Sequence, residues 1–98
     1  MLFAIQCEDK PNALELRMAT RPKHLEYLDG HAASIVQGGP VLDAEGKPCG
    51  SLLLVDVADQ AAAEALAASD PYALAGLFAR VTIRPFRQVF AGGARVAG

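Results

Sequence analysis

The sequence lacks a strong charge of either sign. Its nine basic and eleven acidic side chains give a formal net charge of −2, and the basic residues form no run and do not alternate with aromatic ones. Proteins that bind nucleic acid neutralise the phosphates with clustered lysine and arginine side chains. We therefore expect no nucleic-acid partner.

Long apolar runs and cysteines are also scarce. No apolar segment approaches the roughly twenty residues that a membrane-spanning helix needs. Met1 leads directly into a strand-like run instead of the basic and apolar regions of a signal peptide. These features predict a cytoplasmic protein with no membrane partner. In that reducing compartment, Cys7 and Cys49 are expected to remain free thiols.

What the chain does have is a high apolar content for its length. Hydrophobic residues make up 52% of the 98 residues and charged residues 20%, so few polar groups are available to cover the surface. The length fits one domain, residues 1–98, and the apolar excess suggests a surface that a partner covers. Residues 91–98 are small and unpatterned, and we predict that they form a loose tail.

Four segments have the pattern of β-strands, at residues 2–7, 34–37, 51–57 and 78–84. The first and third are apolar on both faces, which favours central positions in a sheet. The second runs into Gly38-Gly39-Pro40 and the fourth ends at Pro85. Such residues weaken or interrupt the hydrogen-bonded ladder, so these two strands are predicted at the edges.

The segment between the first two strands is predicted to be helical in two parts. A short helical stretch follows Asn12 and breaks near Thr20 and Arg21, because the residue before Pro22 is disfavoured in the α region. The main helix then begins at Pro22, a residue that suits the first turn, and ends near Gly30. Its core-facing stripe is predicted to be Leu25, Leu28 and Ala32.

Two aspartates mark the starts of further helices: Asp59, and Asp70 followed by Pro71. The resulting order of strand, helix, strand, strand, helix, strand is that of the ferredoxin-like βαββαβ fold, an α+β fold with a four-stranded antiparallel sheet. Two helices cover only one face of such a sheet. Because the central strands are apolar on the other face too, we expect a homodimer through that open sheet face.

The most informative candidate for chemistry is His24, since imidazole gives and takes protons near neutral pH. Asp70 offers a carboxylate that would fix the tautomer of the imidazole and raise its basicity. Each residue also has a purely structural interpretation. His24 fits a surface or helix-packing residue, and Asp70 fits an ordinary helix N-cap.

Further residues near these two are candidates for binding a small-molecule ligand. Arg17 and Arg21 would attract an anionic ligand, although solvated surface charge is the favoured interpretation of Arg17. Tyr27 and Tyr72 would each donate a hydroxyl group to a ligand, with packing as the alternative. Gly39-Pro40, at the predicted sheet edge, would leave room for that ligand.

The remaining side chains provide no pattern for a metal or a cofactor. His31 lies seven residues after His24, but no carboxylate or thiol completes a set of metal ligands. The sequence offers no group to stabilise a Cys7 thiolate, so this residue is assigned to packing. The glycines at 38 and 39 lack the spacing of a phosphate-binding loop. We expect neither a metal nor a cofactor.

Several short motifs together resemble the YCII-related (YciI-like) family. They are Arg17-x-x-x-Arg21-Pro22-x-His24-Leu25-x-Tyr27-Leu28, Gly39-Pro40, Asp70-Pro71-Tyr72 and Val81-x-Ile83-x-Pro85-Phe86. The resemblance implies a ferredoxin-like subunit that dimerises through its sheet, within the dimeric α+β barrel superfamily. It also implies an active site centred on a His and an Asp, here His24 and Asp70, and reactions of the elimination or isomerisation type on small ring compounds.

Two classes of function therefore remain open. One is a small dimeric enzyme in which His24 is general acid or base, Asp70 orients it, and Arg21 attracts an anionic or enol-like substrate. The other is a non-catalytic module that binds a small metabolite or associates with another protein. A vestigial pocket is a third possibility.

Overall fold

The structure is a computed structural model that describes residues 1–96. Its secondary structure begins with β1 (Leu2–Asp9), α1 (Leu14–Gly30), a 3-10 turn (Ala32–Ser34), β2 (Ile35–Leu42) and β3 (Pro48–Asp56). It continues with α2 (Gln60–Ala68), α3 (Pro71–Leu74), β4 (Phe78–Pro85), β5 (Phe90–Ala91) and β6 (Ala94–Arg95). Within residues 1–96, no helix is long and apolar enough to cross a membrane.

The four long strands form one antiparallel sheet in the order β2-β3-β1-β4. Ile5 in the middle of β1 pairs with Leu53 of β3 on one side and with Ile83 of β4 on the other. The predicted ferredoxin-like α+β fold is confirmed, with the two strands that are apolar on both faces in the centre. The strands that contain the Gly-Gly-Pro segment and the terminal proline are at the edges, as expected.

The core lies between the sheet and the helices. β1 and β3 contribute alternate side chains, which places the apolar residues of one face together as the two-residue period of a strand requires. Small residues of α2 allow this helix to pack closely, and Asp59 caps it by accepting a hydrogen bond from the N–H of Ala62 at 2.9 Å. The buried apolar cluster consists of Phe3, Ile5, Cys7, Leu53, Val55, Ala63 and Leu66.

Helix α1 is continuous, and the predicted break near Thr20 and Arg21 is wrong. Pro22 lies inside the helix, where it lacks an N–H for the carbonyl of Met18 and costs roughly 3 kcal/mol. Anchors on both sides of the proline offset this cost, since Arg17 is hydrogen-bonded to β1 and His24 to the start of α3. His24 therefore lies well inside a long helix, not in its first turn.

The buried face of α1 also differs from the predicted stripe. Leu25 is 40% exposed and Ala32 lies in the exposed 3-10 turn, whereas Leu28 does pack against the core. The buried side chains of α1 are instead polar ones, Arg17 and His24. Polar groups are tolerated there because each has a hydrogen-bond partner, which removes most of the cost of burying them.

The segment after β4 is more regular than the predicted loose tail. Phe90 pairs with Arg95 and Ala91 with Ala94 in a short antiparallel hairpin. Gly92 and Gly93, both at positive φ (62° and 81°), form its two-residue turn, and glycine adopts this conformation without the strain of a Cβ atom. The prediction is corrected for residues 91–95, whereas residues 97–98 of the predicted tail lie outside the described residues.

Candidate functional site

The fold brings His24 and Asp70 into direct contact. Nδ1 of His24 lies 2.9 Å from Oδ1 and 3.0 Å from Oδ2 of Asp70, across 46 positions of sequence. Both residues are buried, with exposed fractions of 8% and 5%. A carboxylate only accepts hydrogen bonds, so Nδ1 is the donor in this pair. In the neutral imidazole, Nε2 is then the nitrogen with a free lone pair.

Asp70 has a second role in the local structure. Its Oδ1 accepts a hydrogen bond from the N–H of Tyr72 at 2.9 Å, and Pro71 occupies the first turn of α3. Asp70 is therefore an ordinary N-cap and also the partner of His24. The two interpretations that the sequence left open for this residue describe the same carboxylate, whose orientation is fixed by the helix start.

Tyr72 packs directly against the histidine. The two rings are stacked with centroids 4.0 Å apart and an interplanar angle of 19°, and Tyr72 is only 1% exposed. Phe78 contacts the same ring edge-on, with centroids 6.0 Å apart. Burial raises the pKa of Tyr72, and the positive charges of Arg17 and Arg21 only partly offset this. The phenol therefore keeps its proton at neutral pH.

Arg17 is buried beside this stack, so its favoured interpretation as a solvated surface charge is wrong. Nε donates to Oδ2 of Asp9 at 2.7 Å, and Nη2 donates to Oδ1 of Asp9 at 3.0 Å and to Oγ of Ser51 at 2.8 Å. Its Cζ atom lies 4.5 Å from the centroid of the Tyr72 ring. This two-point pairing satisfies the fork geometry of guanidinium and makes burial of the charge possible.

Sequence reasoning missed Asp9 and Ser51. Asp9 lies at the end of β1, in what the sequence presents as a polar turn, and Ser51 lies within β3. No spacing rule connects either residue to Arg17, because the three come from different elements. Ser51 alone has a local signal, since it is a polar residue directly before four apolar residues of β3.

A cavity of about 250 Å³ opens between α1 and β2, and we call it the α1–β2 cavity. His24, Tyr72 and the predicted Gly39-Pro40 segment line it together with both candidate arginines. Its other walls are mostly apolar, so one part suits a hydrocarbon ring and another suits charged oxygen atoms. The lining comprises Arg17, Met18, Arg21, His24, Leu25, Leu28, Gly38, Gly39, Pro40, Pro48, Ser51, Leu53 and Tyr72.

Two groups on this cavity are available to a ligand. Within residues 1–96, Nε2 of His24 has no hydrogen-bond partner. The hydroxyl oxygen of Tyr72 accepts a hydrogen bond from the Arg17 guanidinium, and no acceptor for its own proton is present in the same range. His24, Arg17 and Tyr72 all line the cavity. Arg21, exposed and without an ion pair in that part of the chain, adds a positive charge.

Two neighbouring glycines of β2 have different surroundings. A Cβ atom on Gly38 would clash with Cδ2 of Leu53, so the end of the Leu53 side chain would have to shift. A Cβ atom on Gly39 would meet no atom within 4 Å. Because Gly39 pairs with Leu52, this open space lies on the sheet face away from the helices, and Gly39 borders the cavity only through its backbone.

The structure does not bring Tyr27 to the α1–β2 cavity. Its hydroxyl donates to the carbonyl oxygen of Leu66 at 2.7 Å and so connects α1 to α2. His31 lies beside Tyr27, with ring centroids 4.6 Å apart, and not beside His24. The contacts of Tyr27 match the packing alternative, because its proton is already donated to Leu66 and the residue does not line the cavity.

The two cysteines differ in burial. Cys7 is buried and Cys49 exposed, and both are free thiols. Burial, with a smaller effect of the negative charge of Asp70, raises the pKa of Cys7 to about 12.

Across residues 1–96, no three or more His, Cys, Asp or Glu side chains are grouped so as to hold a metal ion.

Comparison with known sequences gives consistent matches along the chain. The family model described as the YCII-related domain matches residues 1–87. Protein YciI of Escherichia coli O6:H1 is 32% identical over 98 residues, which cover 92% of this chain and 100% of that protein. An uncharacterized protein of Haemophilus influenzae is 36% identical with the same coverage.

Solved structures with the same fold include one of substantial sequence identity. It is the 5-chloro-2-hydroxyhydroquinone dehydrochlorinase (TftG) of Burkholderia phenoliruptrix AC1100 in complex with 2,5-dihydroxybenzoquinone. Its TM-score is 0.85 at 31% identity, with 90% of this chain and 95% of that chain covered. An antibiotic biosynthesis monooxygenase matches with a TM-score of 0.53 at 17% identity, covering 89% and 97% of the two chains, which shows a shared fold alone.

Proposed function

The chain belongs to the YCII-related family, and from that premise we propose that it is a small enzyme in which His24 and Asp70 perform acid–base chemistry. The reaction is an elimination or isomerisation on a small anionic or enol-like molecule. One observation carries the proposal. A carboxylate holds one nitrogen of a buried imidazole while the other nitrogen is free, on a cavity with two guanidinium groups.

The proton transfers follow from this geometry. Nε2 of His24 accepts a proton from a hydroxyl group or an acidic carbon of the substrate. The imidazolium that forms is stabilised by Asp70, which stays bound to Nδ1–H. Return of the proton to a different atom of the substrate completes an isomerisation. Loss of a leaving group with its electron pair, while the proton stays behind, completes an elimination.

The compound named for the Burkholderia relative illustrates both steps. Loss of HCl from 5-chloro-2-hydroxyhydroquinone yields a hydroxybenzoquinone, in which the carbon that carried chlorine carries hydrogen. One hydroxyl proton must therefore move to that ring carbon. A second hydroxyl proton is then removed as chloride leaves with the electrons of the C–Cl bond. For this chain, we assign both transfers to His24, which acts first as base and acid and then as base.

The remaining cavity residues suit such a substrate. The guanidinium groups of Arg17 and Arg21 stabilise a phenolate or enolate oxygen. Leu25, Leu28 and Leu53 offer an apolar wall for the ring. Gly39 and Pro40 form part of the cavity wall on the β2 side.

The proposed enzyme is a homodimer that is formed through the sheet face opposite the helices. Leu52 on β3 and Val41 on β2 point to that face and are 43% and 46% exposed. Leu54 and Ala4, which pair across β3 and β1, extend the apolar area. Burial of such a surface is favourable by about 25 cal/mol per Å² of apolar area, which favours self-association over exposure to water.

The test is turnover of 5-chloro-2-hydroxyhydroquinone, followed by chloride release. We expect His24→Ala and Asp70→Asn to lower kcat by roughly 10² to 10⁴, the usual contribution of a positioned acid or base. Asparagine is also a good N-cap, so Asp70→Asn leaves the start of α3 intact. Asp59→Asn is the matched control, because it makes the same change at the cap of α2 and is expected to keep wild-type turnover.

Wild-type kcat in both the His24 and the Asp70 variant would rule out the proposed roles. A wild-type protein that is thermally stabilised by 2,5-dihydroxybenzoquinone but converts none of the offered compounds would favour the second class, a non-catalytic binding module. In that case, the same two variants are expected to lose the stabilisation, because the ligand still occupies the α1–β2 cavity.

A further inference from the structure

We propose that the hydroxyl of Tyr72 is a further catalytic group, which donates a hydrogen bond to the oxyanion that forms on the substrate when His24 removes a proton. This inference rests on the proposed acid–base function and adds a donor to it. It assigns to Tyr72 a role in the transition state, which is more specific than a contact that holds the bound ligand.

The position of the Tyr72 ring is fixed from several sides. Its backbone N–H is bound to Asp70, its ring is stacked on His24, and Phe78 packs against it edge-on. The guanidinium of Arg17, itself held by Asp9, lies over the same ring. A donor that is preorganised in this way needs no rearrangement at the moment of reaction, which is the condition for strong stabilisation of a developing charge.

The hydroxyl at the end of this fixed ring accepts a hydrogen bond from the Arg17 guanidinium, but no acceptor for its own proton is present among residues 1–96. Tyr72 is only 1% exposed, and an O–H group without an acceptor in such surroundings is costly, so water or a ligand must accept its proton. Tyr72 lines the α1–β2 cavity, which His24 also lines. The hydroxyl and the proton acceptor therefore face the same bound molecule.

The charges around the hydroxyl favour donation. Burial raises its pKa, so the group is protonated at neutral pH, and the nearby Arg17 and Arg21 polarise the O–H bond. The nearby negative charge is that of Asp70, whose carboxylate already accepts hydrogen bonds from His24 and from the N–H of Tyr72. An oxyanion of the substrate is the acceptor that this arrangement lacks.

The other tyrosine of the chain shows what a structural tyrosine looks like here. The hydroxyl of Tyr27 donates to the carbonyl of Leu66 at 2.7 Å. Tyr27→Phe therefore removes an existing hydrogen bond and is expected to lower the melting temperature. Tyr72→Phe removes a hydroxyl whose proton has no protein acceptor within residues 1–96, and it keeps the ring that stacks on His24. Arg17 keeps its hydrogen bonds to Asp9 and Ser51 in this variant.

The experiment compares wild type, Tyr72→Phe and His24→Ala in turnover of 5-chloro-2-hydroxyhydroquinone, together with thermal denaturation. We expect Tyr72→Phe to lower kcat by roughly 10² to 10³, as for removal of one donor to an oxyanion. KM should change much less, because the hydrogen bond strengthens only as charge develops. The melting temperature should stay close to that of wild type, which a purely structural role for the hydroxyl would not produce.

A second variant separates proton donation from packing. The chain has two tyrosines, so fluorotyrosine incorporated into a Tyr27→Phe variant replaces Tyr72 alone. The substitution keeps the ring and the hydroxyl of this residue and lowers the pKa of the phenol. We expect the alkaline limit of activity to move to lower pH, since the donor loses its proton earlier. An unmoved alkaline limit contradicts the inference.

The outcomes distinguish this inference from the proposed function. Wild-type kcat in Tyr72→Phe together with an inactive His24→Ala overturns the role of Tyr72 and leaves the His24 proposal standing. Full activity in His24→Ala overturns both. If wild type does not convert the compound, the binding of 2,5-dihydroxybenzoquinone is measured by calorimetry. Roughly tenfold weaker binding to Tyr72→Phe than to wild type supports the donor role. Equal binding to the two proteins, or no binding to wild type, overturns it.

Discussion

At the scale of single residues, Asp70 and Cys7 show how burial determines chemistry. Asp70 is buried but fully used, because its oxygens accept from His24 and from the N–H of Tyr72. Cys7 is buried in the apolar cluster, with no hydrogen-bond donor assigned to its sulfur within residues 1–96. The same burial that makes a paired carboxylate useful therefore makes an unpaired thiol inert, because an unpaired thiolate would be a buried charge without compensation.

The two thiols should consequently differ in reactivity and in their effect on stability. Cys49 is exposed, so a thiol reagent at pH 8 is expected to modify one group in the folded protein and two after unfolding. The pKa of Cys7 is raised from 9.0 to about 12. Its protonated form is favoured by folding, so this contribution to stability is complete below about pH 9 and is lost as the pH rises toward about 12.

The measurement is the free energy of unfolding in urea between pH 8 and pH 11, with intact-mass analysis of labelling. We expect Cys7→Ala to reduce the loss of stability at alkaline pH and Cys49→Ser to leave it unchanged. Some alkaline loss should remain in Cys7→Ala, because the pKa of Tyr72 is raised as well. Rapid labelling of both thiols in the folded state would contradict the buried position of Cys7.

At the scale of elements, α1 is held to the sheet by polar contacts. Apolar residues of this helix such as Met18 and Leu25 are largely exposed, whereas Arg17 and His24 are buried. Because Arg17 is bound to β1 through Asp9 and to β3 through Ser51, it fixes the helix against two central strands. These anchors also explain how the helix continues through Pro22, which a prediction from local sequence does not allow.

The Arg17–Asp9 pair should therefore be important for stability. Its side chains are only 4% and 5% exposed, and removal of one partner of a buried pair usually costs about 3 to 5 kcal/mol, because it leaves a buried charge without compensation. We expect a loss of this size for Arg17→Met in urea unfolding. The double variant Asp9→Leu with Arg17→Met should recover most of it, because no buried charge remains.

Arg80→Met is the matched control for this experiment. Arg80 and Glu8 form an ion pair at 3.5 Å on the surface, with side chains 73% and 68% exposed. Exposed pairs contribute roughly 0 to 1 kcal/mol, so this variant should be nearly as stable as wild type. Equal losses in Arg17→Met and Arg80→Met would show that the Arg17 pair is accessible to water.

At the scale of the whole molecule, the sheet has one covered and one uncovered face. The helices pack on the side of Phe3 and Ile5, while Leu52, Leu54 and Val41 lie on the other side. A shallow concavity of about 510 Å³ on that side is larger than the α1–β2 cavity, but no histidine lines it. We assign it to subunit contact and not to catalysis, because it offers a broad surface without a proton acceptor of suitable basicity.

The proposed homodimer can be tested by light scattering after size-exclusion chromatography. Wild type is expected at twice the mass of the 10.3 kDa chain, and Leu52→Glu at the mass of one chain, because a charge in the centre of the interface would be desolvated. Leu74→Glu is the control, since Leu74 is 75% exposed on α3 and away from the open face. A wild-type protein that elutes as a single chain at micromolar concentration would contradict the dimer.

The strand order of the sheet could be predicted from local patterns. Apolar residues on both faces identified the first and third strands as central, and the glycines and prolines marked the edge strands, because these signals depend on residues that are close in sequence. Motif resemblance identified the family and singled out His24 and Asp70, which the structure brings into contact, although their catalytic roles stay a prediction. The Gly92-Gly93 turn was a local signal too, and it was overlooked.

Which polar side chains are buried together follows from the packing of elements that are distant in sequence. The sequence did not indicate that Arg17 would pair with Asp9 and Ser51, or that Tyr72 and not Tyr27 would lie against His24. These contacts join residues from different elements, and the free energy of a buried polar group depends on the partners that packing supplies. Local patterns contain no information about such partners, which is why the sequence predicted the elements and the three-dimensional packing decided the site.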